Sequence, residues 1–323
     1  MIVVVAIAVV AAGVLATTRA WSHETPAAEP THPASGLSSP QPPPSRQPIG
    51  STEPAGKIAF ASQAARGLFH IHVINADGTG EISLTFGPGE DRDPAWSPDR
   101  TRIAFDRRAN ADDPLDTNTD IYVMQADGSG SRQLTDGPEA EGDPAWSPDG
   151  SRLAFFTTDP ATGRRHISVR RVDAADQAEL SDPPESCNDR EPTWSPDSLR
   201  LVFVRKCGEQ ASALYLIGAD GKGLLFLTDF GRTPDWSPDG TRIAYTGLGT
   251  RGPSVHVINV DGSGKTNLME SGLSGDPEWS PDGTKMVFSS SDLAAVNLFI
   301  MNADGTDVHR LTSNPSNDVT ASW

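Results

Sequence analysis

The sequence predicts an all-β fold: a six-bladed β-propeller of four-stranded antiparallel blades, its ring closed by the C-terminal strand pairing with the N-terminal blade. Three observations predict it. Six tryptophans, Trp96, Trp146, Trp194, Trp236, Trp279 and Trp323, follow one another at steps of 50, 48, 42, 43 and 44 residues, and a period of this size marks a repeat architecture. Five of them open one phrase, Trp-Ser-Pro-Asp followed by Gly, Arg or Ser. Every repeat also holds short apolar runs of strand length separated by turn residues.

Each tryptophan ends one strand. The Ser-Pro-Asp-Gly segment that follows turns the chain, because Pro presets φ and Gly or Asp tolerates tight-turn dihedrals. A second strand begins in the runs 102–105, 152–155, 200–203, 242–245 and 285–288. A third strand (71–75, 121–125, 214–217, 255–259, 298–302) leads into Asp-Gly at 77, 127, 220, 261 and 304, a strong hairpin signal. A fourth ends near Leu84, Leu134, Leu180, Leu227, Leu268 and Leu311. The third repeat is the most worn: its strand from Ile167 runs into Asp-Ala-Ala-Asp without the Gly turn. One blade cannot bury both of its faces, but stacked blades bury them against each other.

The strand at Lys57 has no tryptophan before it; at the expected place the chain reads Ser51-Thr52-Glu53-Pro54. At the other end, residues 318–323 stop on Trp323 with no following turn. The last strand therefore supplies the innermost strand of the first blade.

The phrase Asp-Pro-x-Trp-Ser-Pro-Asp-Gly, then Arg-Ile-Ala-Phe, Ile-Tyr-Val-Met, Asp-Gly and Leu-Thr, resembles the WD40-like (PD40) repeat of TolB-type propellers across residues 55 to 323. The resemblance implies the propeller and, by docking mode, a lipoprotein partner of the cell envelope seated on it. TolB-type proteins also carry an amino-terminal α/β domain, for which the first 54 residues have no pattern. Similar blades occur in prolyl-oligopeptidase-type peptidases, whose catalytic domain has no counterpart in this sequence. Fold alone does not assign function.

The chain is divided into residues 1–20, a signal peptide or membrane anchor; 21–54, a Pro/Ser-rich tether; and 55–323, the propeller. Residues 2–16 are small or apolar, short for a span of about 20 residues but suited to a secretory core. The implied location is extracytoplasmic: secreted, periplasmic or anchored to the membrane only through this segment. Net charge is −17, which argues against a nucleic-acid partner, since phosphate binding needs a basic patch. Cys187 and Cys207 fall nearly opposite each other about the hairpin turn between Asp197 and Ser198, so a disulfide is expected, in keeping with an oxidising compartment.

Candidate binding residues flank the tryptophans, on the innermost strands that line a propeller channel. Five residues before stand Asp91, Glu141, Asp189 and Asp318; four before, Arg92, Arg190 and Arg232; three before, Asp93, Asp143, Glu191 and Asp276. Converging on one channel mouth, they would form an acidic docking site for a protein segment or a cation. The competing reading gives the residues three before Trp a structural role, satisfying backbone donors. His72 and His256 share a repeat position with Tyr122, Tyr215 and Phe299, and so read as packing. Asp112, Asp113, Asp116, Asn118 and Asp120 resemble the opening of a calcium loop but lack its Gly and distal Glu. No zinc, nucleophile-elbow or phosphate-loop motif occurs.

The expected function is that of an exported, monomeric, non-catalytic binding module without a cofactor, docking an envelope protein or peptide at the channel mouth. The alternatives are a channel-mouth enzyme (a calcium-dependent lactonase, sugar dehydrogenase or glycan-active enzyme) and a sensor domain.

Overall fold

The computed structural model describes residues 56–323 apart from 65–66, 112–117, 270–271, 292–294 and 314. The signal or anchor segment, the tether and Asp112, Asp113 and Asp116 lie outside the described residues. These form six four-stranded antiparallel sheets. No helix among them is long and apolar enough to cross a membrane.

The inner strands of blades one to six are Asp318–Ser322, Glu90–Trp96, Glu141–Trp146, Cys187–Trp194, Arg232–Trp236 and Ser274–Trp279. In the first blade the C-terminal strand pairs with Lys57–Gln63, with Ala59 opposite Ser322 and Ser62 opposite Asp318. The ring is closed by its two ends, as the unmatched Trp323 predicts.

Buried apolar residues gather between blades, not within them. Trp236 and Tyr245 of the fifth blade pack on Val202, Leu214 and Leu227 of the fourth. Trp323, Ile58 and Phe60 pack on Val287, Leu298 and Leu311 of the sixth. The six repeat tryptophans are only 3 to 9% exposed. At about 25 cal/mol per Å² and roughly 200 Å² each, every one contributes on the order of 5 kcal/mol before entropy.

The turn after each tryptophan explains its recurring sequence. Ser97 Oγ donates to Asp99 Oδ1 at 2.6 Å and accepts from Arg102 N at 2.9 Å. The same Ser–Asp bond recurs from Ser147, Ser195, Ser237 and Ser280. The arginine opening the second strand then covers the next blade's tryptophan: Arg102 over Trp146, Arg152 over Trp194, Arg200 over Trp236 and Arg242 over Trp279, at 4.5 to 5.2 Å from the ring centroid. In the first blade Lys57 holds this place, and Arg100 covers Trp96 instead while donating to the Lys57 carbonyl.

Cys187 and Cys207 are register partners and are joined by a disulfide. His72 lies against Phe60 and His256 against Tyr245, with centroids 5.6 and 5.5 Å apart.

Candidate functional site: the acidic channel

Each inner strand carries a bulge just before its tryptophan. The register slips between Arg92 and Ala95, and at the corresponding place in the other blades. The extra residue adopts a left-handed backbone: Asp93 (φ 48°), Asp143 (55°), Glu191 (52°), Thr233 (44°), Asp276 (51°) and Thr320 (48°). A bulge re-aims a side chain and breaks strict alternation. Here it turns all six side chains into a central cavity of about 140 Å³, which Glu278 also lines.

These residues tie neighbouring blades together. Asp143 Oδ2 accepts from Glu191 N at 3.0 Å, and Glu191 Oε2 from Thr233 N at 2.6 Å. Asp276 N donates to Thr246 Oγ1 of the fifth blade at 2.9 Å, while its Oδ2 accepts from Ser289 Oγ within its own blade at 2.8 Å. Nearer the tryptophans, Asp235 Oδ2 accepts from Trp279 N at 2.8 Å and Ser322 Oγ from Trp96 N at 3.2 Å. The structural role weighed for the position three before Trp is therefore present at Asp143 and Glu191, alongside their place in the channel.

The crowding of acids has an electrostatic cost. Burial, then the Asp106 charge, holds Asp93 well above the usual carboxylate range, and burial with Asp93 and Glu191 does the same for Asp143. Burial, then Asp143, pushes Asp106 up to about 7. Burial raises Asp235 to about 7 as well, and burial together with the Asp235 charge holds Glu278 well above the usual carboxylate range. The three arginines four before Trp oppose this: Arg92 favours ionised Asp93, Arg190 favours Asp143 and Glu191, and Arg232 favours Glu191 and Asp276. Burial therefore favours the neutral form of these channel carboxyls, and an incoming positive charge would favour their ionised form. Among the described residues, no three His, Cys, Asp or Glu side chains converge closely enough to hold a metal ion.

The carboxylates five before Trp stand elsewhere. Asp91, Glu141, Asp189 and Asp318 are at most 3% exposed, so they do not join an open mouth. Asp91 receives Arg107 through Nε at 2.5 Å and Nη2 at 2.9 Å; Asp189 receives Arg205 at 2.6 and 2.7 Å. Asp318 accepts from Ser62 Oγ at 2.7 Å. The physical reason is the bulge: with one residue added, positions five and three before Trp no longer share a face.

Arg92 pairs with Glu90 at 2.8 Å and lies over the Phe69 ring; Arg190 Nε stands 3.3 Å from Glu191 Oε1; Arg232 is exposed. Sequence reasoning missed Asp106, Asp235 and Glu278. Signals existed: Asp106 is the cross-strand partner of Arg92, and Asp235 and Glu278 stand two residues after the position three before Trp, immediately before the tryptophan.

Six such four-stranded blades in a ring define a β-propeller with carboxyl groups lining its axis. The TolB beta propeller domain family, PD40, matches residues 51–232 and 227–323, and the chain belongs to that family. Among solved structures, TolB from Acinetobacter baumannii is similar with a TM-score of 0.70 and 19% identity, covering 83% of this chain and 66% of that one. A putative TolB from Agrobacterium tumefaciens gives 0.62 and 20%, covering 79% and 88%. A chain of a nidogen/laminin complex gives 0.65 and 10%, covering 83% and 98%. At these identities the likeness establishes the fold alone. No curated protein sequence matches the chain.

Proposed function

We propose that the chain is an exported, non-catalytic propeller that binds a protein partner of the cell envelope at its channel mouth. The observation that carries this is the axial ring itself: Asp93, Asp143, Glu191 and Asp276 converge on one cavity, and Arg92, Arg190 and Arg232, each one residue earlier in its strand, act electrostatically on these acids. Such alternation of signs reads a partner segment by charge pattern. The same end of the ring presents apolar contacts. Phe230, 46% exposed, lies two residues before the fifth inner strand, Leu273, 59% exposed, immediately precedes the sixth, and Leu248, 59% exposed, lies at the hairpin beside them. Export rests on the apolar run at residues 2–16 and agrees with the envelope setting of TolB-type propellers.

The test is capture from an envelope extract by the full chain and by a variant carrying Arg92→Glu, Arg190→Glu and Arg232→Glu. A partner held by the native chain and released by the variant is the expected result. Equal retention, or no partner, overturns the reading.

A further inference from the structure

The second, third and fourth blades place the same backbone position in three neighbouring settings, and the third lacks what the other two contain. In the second blade, Arg107 stands opposite Asp91 and clasps it, with its guanidinium 5.1 Å from the Phe105 centroid and 5.0 Å from that of Tyr122. In the fourth, Arg205 clasps Asp189 and lies 5.5 and 5.1 Å from Phe203 and Tyr215. In the third, the acid is Glu141, its cross-strand partner is Thr157, and the residue paired with Phe155 is Ser168. The arginine and the tyrosine are both missing. Thr157 and Ser168 bond each other through their hydroxyls at 2.9 Å.

A cavity of about 460 Å³ lies there, with Glu141 and Thr157 among its lining residues. Glu141 is 3% exposed, and its Oε2 has no partner. The surroundings add negative charge: Glu139 and Glu179 line the same cavity. Where His70 stands 3.7 Å from Asp91, the residue at the matching place facing Glu141 is Asp120. Arg170 also lines the cavity and favours ionised Glu141, but no ion pair joins them. Burial, opposed by a hydrogen bond with Thr135 and reinforced by Asp120 and Glu139, pushes Glu141 up to about 7. A buried carboxyl without its cation is costly, and a guanidinium matches it in two-pronged geometry.

We propose that this cavity is a binding site for a guanidinium group, which takes the place that Arg107 and Arg205 fill in the flanking blades. The group can arrive on a small molecule or on an arginyl side chain of a partner. The site is separate from the axial channel, so it stands or falls independently of the docking proposed there.

The experiment is calorimetric titration of the full chain with N-acetylarginine amide, with an arginine-centred pentapeptide, and with the norleucine versions of both. Saturable binding of an arginine probe with no binding of its norleucine counterpart is expected. Binding should weaken at least tenfold in Glu141→Gln and vanish in Thr157→Arg, which supplies the missing group from within. Tighter binding of the pentapeptide upholds the site with a peptide source; equal binding upholds it with a small-molecule source. No saturable binding at about 10 mM probe, or binding unchanged by Glu141→Gln, overturns the proposal. Glu141→Gln changes charge and not size, so the test survives if Thr157→Arg fails to fold.

Discussion

The two ends of the inner strands are built on different rules. At the tryptophan end the blades are nearly interchangeable: the same indole fills each interface, and the same serine and aspartate close the following turn wherever the chain continues. At the other end they diverge. The position five before Trp is an arginine-clasped aspartate in two blades, an unclasped glutamate in one, and Ser274 bonded to Ser290 in another. Repetition marks what every blade needs in order to stack. Divergence marks where the ring is free to carry chemistry.

The contrast can be broken most violently at the closure. Removing residues 318–323 deletes the first blade's inner strand and the Trp323 indole from the interface with the sixth blade. The expected loss exceeds about 5 kcal/mol, a large part of the stability of any domain, and thermal melting should show no cooperative transition at the native temperature. A native-like melt would mean that the ring does not depend on its closure.

The next effect separates the clasped blades from the unclasped one. Asp189 and Arg205 are 0 and 6% exposed. Asp189→Ala leaves a buried guanidinium without its acid and should cost about 3–5 kcal/mol in chemical denaturation. Glu141→Gln removes a carboxyl whose ionised form burial already penalises, so it should cost nothing and should raise stability above about pH 7. Equal losses would erase the distinction on which the third-blade site rests. Between these lies the hairpin staple: replacing Cys187 and Cys207 together by Ser frees a loop closed over a sequence separation of 20, and should cost about 3 kcal/mol.

The tryptophan end was legible in the sequence because its signals are local. Trp-Ser-Pro-Asp-Gly declares a strand end and a turn, and counting outward from the turn placed Cys187 opposite Cys207. The unmatched Trp323 declared the closure. The channel end was legible only in part. Alternation assumes a regular strand, and the left-handed residue three before each Trp interrupts it, so Asp91 and Asp93 cannot be sorted by parity. The residues five before Trp were grouped with the mouth for that reason. Asp106 went unnoticed because it belongs to the second strand and reaches the axis only through its pairing with Arg92. The third-blade cavity had a trace in the worn repeat, but what it lacks is visible only once Thr157 and Ser168 are set beside Arg107 and Tyr122 in register.

The gentlest test of the contrast is its pH signature, because the two ends carry carboxyls shifted in opposite directions. In the turns, the Ser237 and Ser280 hydroxyls hold Asp239 and Asp282 below their ordinary value. They stabilise the fold above that value and lose the contribution as pH falls through their lowered folded values. In the channel, burial raises Asp106 to about 7. From an unfolded value of 3.8 to about 7, the folded state keeps a proton that the unfolded chain releases, so stability falls as pH rises through that window and stays reduced above it. The combined curve should therefore peak on the acid side of neutrality. Asp106→Asn should flatten the descending limb and raise stability at pH 8 by about 2 kcal/mol, allowing for solvent in the channel. Asp239→Asn should flatten only the acid limb. Melting across the pH range reads both. A maximum above pH 7 would show that the channel acids ionise at no cost, and with it the difference between the two ends would reduce to geometry alone.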